Sequence, residues 1–152
     1  MAPQRQDSRK DRTAVSSSSG DPNHHLDTPA STTVVAADSL ASRSARDSVR
    51  LFQAALAAEA LESAELLVSE LASNVVRHTT SAQMVVAITV AGGVLRVEVE
   101  DGDSARYPYV APFRPTEPGG MGMRLVDQMA SAWGTHQTQD GKCVWFELPS
   151  GV

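Results

Sequence analysis

Apolar residues recur along this chain with two different periods, and the change from one to the other marks out its elements. Ala45, Val49, Phe52 and Leu56 follow helical spacing, with Asp38 placed to cap the helix start. The stripe Ala64, Leu67, Val68, Leu71, Ala72 and Val75 predicts a second helix over Glu62–His78. The period then drops to two. Met84–Val90 and Val94–Glu100 read as strands, and Gly92-Gly93 between them predicts a tight hairpin. Leu95, Val97 and Val99 share one face, Arg96, Glu98 and Glu100 the other, and Asp101 falls on the parity of the apolar set. Residues 103–119 hold Pro108, Pro112, Pro115 and Pro118 with Tyr107, Tyr109 and Phe113, and no period survives there. That stretch reads as a covering loop. Leu125, Val126, Met129 and Ala130 then predict a helix opened by Gly119-Gly120-Met121-Gly122. Trp133–Thr138 and Lys142–Leu148 flank a turn at Asp140-Gly141 and predict a second hairpin, in which Trp145 reads as core.

Composition divides the chain near residue 33. The Ser16–Ser19 run, Gly20, Pro22 and Pro29 lie in a segment with almost nothing to bury. Such a segment cannot offset its ordering entropy, so residues 1–33 are expected to be a disordered tail and residues 34–150 one domain. A chain of 152 residues with 41% hydrophobic content has enough apolar surface for one core. The net charge of -5 argues against a phosphate-backbone binder, so no direct nucleic-acid contact is expected. Arg43, Arg46 and Arg50 alternate with Asp38 and Asp47 and read as a solvated helix face. No apolar run reaches membrane-spanning length or resembles a signal peptide, which predicts a cytoplasmic location away from membranes. Cys143 is the single cysteine; it rules out an intrachain disulfide and reads as a small packing residue. His78 and His136 lack metal-ligand spacing and read as surface or capping residues, and His24 and His25 as exposed tail residues.

Three places offer chemistry. Glu70, Asn74 and Arg77 fall on one face of the second predicted helix, beside its apolar stripe. That face suits a pocket wall, although a solvated amphipathic helix has the same spacing. Asp101 ends a buried row and needs hydrogen-bond donors. An adenine amino group meets that need, and so does the turn opened by Gly102. The glycines at 119, 120 and 122 allow a close backbone approach where a helix N-terminus presents free N–H groups, with Arg124 in its first turn for a charge contact. Taken together, these groups suit a nucleoside triphosphate and its magnesium. Two familiar phosphate motifs are absent: there is no Gly-x-x-x-x-Gly-Lys-Ser/Thr loop, and Leu125 stands where a dinucleotide fingerprint needs its third glycine.

The segments Glu65–His78, Val97–Gly102 and Gly119–Val126, in that order, resemble the boxes of the GHKL ATPase/kinase superfamily. The likeness is nearest to its small branch of anti-sigma-factor serine/threonine kinases. Trp133-Gly134 and Lys142–Pro149 are similar to that branch as well, and the resemblance covers about residues 34–150. It implies an α/β fold of the Bergerat type, an α+β two-layer sandwich with a mixed, mostly antiparallel sheet and helices on one face. It implies ATP and Mg2+ as ligands. Asn74 would hold the magnesium through its amide oxygen, and Glu70 would be the general base. Asp101, with Gly102 beside it, would receive the adenine amino group. Gly120 and Gly122, followed by Met123 and Arg124, would wrap the phosphates. The implied partners are a sigma factor and an anti-anti-sigma protein carrying the phosphorylated serine or threonine. Members commonly dimerise, so a homodimer is open.

One departure bears on activity. The family's middle box usually reads Asp-x-Gly-x-Gly, and here Asp103 replaces the first of those later glycines. Two readings therefore stand: an ATP-dependent protein kinase, and a non-catalytic module that sequesters a sigma factor with ATP as a structural ligand or absent.

Overall fold

The structure is a computed structural model that describes residues 31–103 and 122–152. Its elements run β1 (Ser31–Ala36), α1 (Ala41–Arg50), a 3-10 turn (Gln53–Ala55), α2 (Ala58–His78), β2 (Gln83–Ala91), β3 (Val94–Asp101), α3 (Gly122–Met129), β4 (Ala132–Gln137) and β5 (Lys142–Pro149). The five strands form one open sheet in the order β1-β2-β3-β5-β4. All four ladders among the described residues are antiparallel, where a mixed, mostly antiparallel sheet was expected. The tail and the proline-rich loop lie outside the described residues, apart from Ser31–Thr33, which pair in β1 with Val86, Ala87 and Ile88.

The sheet has one covered face. Val86 and Ile88 of β2, Leu95, Val97 and Val99 of β3, and Val144, Phe146 and Leu148 of β5 all point into it. The helices close over them. α1 contacts β1 and β2, α2 contacts β3 and β5, and α3 contacts β4, so the helical layer runs α1, α2, α3 across the sheet. α2 buries Ala64, Leu67, Val68, Leu71, Ala72 and Val75, the stripe read from the sequence. It begins at Ala58, four residues before the expected start, because alanine favours the helix without adding to any apolar pattern. The preceding Ala57 donates its N–H to the Ser150 carbonyl at 2.8 Å, which ties the helix start to the end of β5.

α1 ends sooner than its apolar spacing suggests. Phe52 and Leu56 flank the 3-10 turn, one before it and one after, yet both still pack on the core. Their spacing therefore reported burial and not a continuous helix. Asp38 does not cap the helix as expected: the N-cap is Leu40, without a side-chain cap bond, and Asp38 accepts the Leu40 N–H at 2.9 Å in the turn just before it. The arginines of α1 do more than face water. Arg46 donates to Ser69 Oγ at 3.0 Å, and Arg50 pairs with Glu65 at 2.7 Å, so they fasten α1 along one flank of α2.

Among the described residues the opposite sheet face carries no helix, and Trp145 lies there instead of in the core. It is half-buried, with the Arg96 guanidinium 4.0 Å from its ring centroid. Its other side covers Gly134, where a Cβ would come within 2.9 Å of the ring. The parity of β5 explains the correction. Val144, Phe146 and Leu148 point inward, so Trp145 must point outward.

Candidate functional site

The site is framed by the flank of α2 that faces away from α1. Glu65, Ser69 and Ser73 line the α1 side, where Ser42 Oγ lies 3.3 Å from Ser73 Oγ. A rotation of 100° per residue places Glu70 and Asn74 on the other flank, toward α3. Both are half-buried, and among the described residues no hydrogen bond or ion pair ties them down. Arg77, one turn beyond, is exposed. A carboxylate and an amide spaced i, i+4 at the border of a core thus remain available to a ligand.

The hairpin brings the end of β3 back to the C-terminal end of α2. Gly92 and Gly93 both take positive φ, 58° and 77°, as a two-residue turn with right-handed strand twist requires. β3 then returns in register, Asp101 pairing with Met84 near the start of β2. The Gly102 N–H donates to Ser81 Oγ at 2.7 Å, three residues past α2. Asp101 therefore sits on the covered face beneath the last turns of α2.

Its carboxylate is occupied from two sides. The Asp103 N–H donates to Asp101 Oδ1 at 2.8 Å, closing the turn that Gly102 opens. Lys142, the first residue of β5, faces Asp101 directly across the ladder. Its Nζ lies 3.2 Å from Oδ1 and 3.1 Å from Oδ2, and it also donates to the Asp103 carbonyl at 2.7 Å. The side chains of this ion pair are only 5% and 2% exposed. An ionised carboxylate has about four lone-pair positions, so Oδ2 keeps room for a further donor. Asp103 is held here through its own backbone N–H and carbonyl.

Lys142 is the site residue that sequence reasoning missed. The signal was there, since Lys142 shares its parity with Val144, Phe146 and Leu148, as Asp101 does with Leu95, Val97 and Val99. Two opposite charges ending two buried rows are each other's natural partners. Gly141 fits them together. A Cβ there would fall 1.8 Å from the Asp101 carbonyl oxygen, so only glycine lets the β4–β5 turn lie against the end of β3.

Of the glycine box, Gly122 opens α3, while Gly119, Gly120 and Met121 lie outside the described residues. Gly122, Met123 and Arg124 supply the first backbone N–H groups of α3, those that have no partner within the helix. The Met123 side chain is buried in the core, so that residue can meet a ligand only through its backbone. Arg124 is half-buried and already engaged.

The donor set suits a magnesium ion carried by phosphates. The amide oxygen of Asn74, with no hydrogen-bond partner among the described residues, is a hard ligand, and Mg2+ characteristically takes one or two protein oxygens while keeping waters and phosphate oxygens. No helix among the described residues is long and apolar enough to cross a membrane.

No curated protein matches the chain. Among solved structures, the crystal structure of the RsbU and RsbW domains of Rv1364c from Mycobacterium tuberculosis is similar, with a TM-score of 0.58 at 19% identity. The match covers 82% of this chain and 34% of that one, so this chain spans about a third of that protein's length. At that identity the likeness speaks for the fold. The family model described as the histidine kinase-like ATPase domain matches residues 35–148, the stretch that carries α2, Asp101, Lys142 and α3. The chain belongs to the histidine kinase-like ATPase domain family.

Proposed function

We propose that this protein binds Mg-ATP between α2 and α3 and transfers the γ-phosphoryl group to a serine or threonine of an anti-anti-sigma protein, its other partner being a sigma factor. The observation that carries this reading is the pair Glu70 and Asn74, half-buried and without a hydrogen-bond or ion-pair partner among the described residues, on the α2 flank that faces α3. The RsbW domain in the similar solved structure supports the choice of branch.

In this reading the Glu70 carboxylate accepts the proton of the partner's hydroxyl as that oxygen bonds to the γ-phosphorus. The bond from the γ-phosphorus to the bridging oxygen breaks, and ADP leaves. Charge in such a transfer spreads over the equatorial phosphoryl oxygens, so catalysis is mainly positioning and electrostatic stabilisation. Asn74 would hold the magnesium, which neutralises phosphate charge when bound. The first N–H groups of α3 would meet the phosphates, and the free capacity of Asp101 Oδ2 would take the adenine amino group.

A second reading has its own observation. Lys142 already occupies Asp101, and Asp103 adds a carboxylate beside it. Both favour a module that holds a sigma factor without turnover. Calorimetric titration with ATP, with and without magnesium, tests nucleotide binding; transfer of labelled γ-phosphate to a purified anti-anti-sigma protein tests catalysis. Magnesium-dependent binding with transfer supports the kinase. Binding without transfer, or no binding at all, leaves the sequestering module.

A further inference from the structure

A second constellation stands on the sheet face that carries no helix among the described residues, away from the candidate nucleotide site. It joins Glu98 of β3, His136 of β4 and Cys143 of β5. The register makes this meeting unavoidable. His136 and Cys143 are direct partners in the β4–β5 ladder, and Glu98 pairs with Trp145, one diagonal step from Cys143. Direct and diagonal neighbours on one face of a sheet are within side-chain reach. One ligand atom from each residue lies within 4.8 Å of the other two, and Cys143 Sγ is 4.0 Å from Glu98 Oε1.

We infer that Glu98, His136 and Cys143 form a binding site for a zinc-class transition-metal ion. Thiolate, imidazole and carboxylate together are a zinc donor set, and the thiolate and imidazole discriminate against magnesium. Tetrahedral bonds of about 2.0–2.3 Å put ligand atoms about 3.3–3.6 Å apart, so small side-chain rotations complete the site. His136 is exposed, which gives the ion a way in and leaves the fourth position to water. Arg96 pairs with Glu98 at 3.1 Å while stacked on Trp145, and so orients that carboxylate.

Glu100, directly opposite Cys143 in the β3–β5 ladder, adds a second carboxylate on this face, and a bound divalent ion would release the Cys143 proton to solvent.

Titration of the full chain with Co2+, followed by absorption, tests the site. One equivalent should produce a near-ultraviolet thiolate-to-cobalt band and visible bands of tetrahedral intensity, all abolished by added Zn2+. Cys143→Ser should remove the near-ultraviolet band. His136→Ala, at an exposed position where the fold is safe, should weaken Co2+ binding at least about 10-fold, as should Glu98→Gln. Zn2+ should raise the melting temperature of the parent protein by several degrees and leave that of His136→Ala unchanged. Absence of a thiolate band in the parent protein, or a spectrum and affinity unaltered in His136→Ala, would overturn the assignment.

Discussion

Asp101 and Lys142 stand opposite each other at the ends of two apolar rows, joined by a 3.1 Å ion pair that is almost wholly out of water. A buried pair of this kind adds little net stability when intact, but removal of one partner strands a charge. Lys142→Met should therefore cost ~3–5 kcal/mol of unfolding free energy. Asp101→Asn in the same chain should restore much of that loss. Urea denaturation of the single and double variants measures both, and a single-variant loss below about 1 kcal/mol would mean the carboxylate is solvated.

Gly141→Ala tests the close approach of the β4–β5 turn to β3. Its Cβ would sit 1.8 Å from the Asp101 carbonyl oxygen, a backbone atom that cannot swing aside. Overpacking usually costs ~1–3 kcal/mol, and this variant should fall at the upper end or beyond. The shift in denaturation midpoint at constant slope reports it.

Under the kinase reading, Glu70→Ala should lower phosphoryl transfer by roughly 10²–10⁴-fold, the usual contribution of a general base. ATP affinity should change little. Single-turnover transfer beside calorimetric binding separates these two effects, and undiminished transfer would rule out Glu70 as the base.

Asn74→Ala should leave the fold intact, since no hydrogen bond among the described residues depends on its amide. It should abolish the dependence of ATP binding on magnesium. Titrations at several magnesium concentrations give the answer, and an unaltered dependence would move the ion elsewhere.

Much of this architecture is written in periodicity. The α2 stripe and the β2–β3 hairpin were legible because each has its own clear period, 3.6 or 2, with Gly92-Gly93 as punctuation. β1 was not, because Ser31-Thr32-Thr33 shares the polar composition of the tail and gains its place only by pairing with β2. In the candidate site, Glu70, Asn74 and Asp101 were legible one element at a time. Lys142 needed the register between two strands 41 residues apart, which no local pattern contains. The Glu98, His136 and Cys143 constellation needed three strands at once, which spacing along the chain does not bring together.

The pleat of β5 gives Lys142-Cys143 a strict sidedness. The lysine serves the covered face and the thiol the open one, although a single peptide bond separates them. A one-residue insertion or deletion in the turn at 138–141 that slipped the register would exchange the two, placing sulfur against Asp101 and an ammonium beside His136. Length changes in that turn are thus more damaging than almost any substitution within it. The two faces of the sheet share one reading frame, and neither can drift without the other.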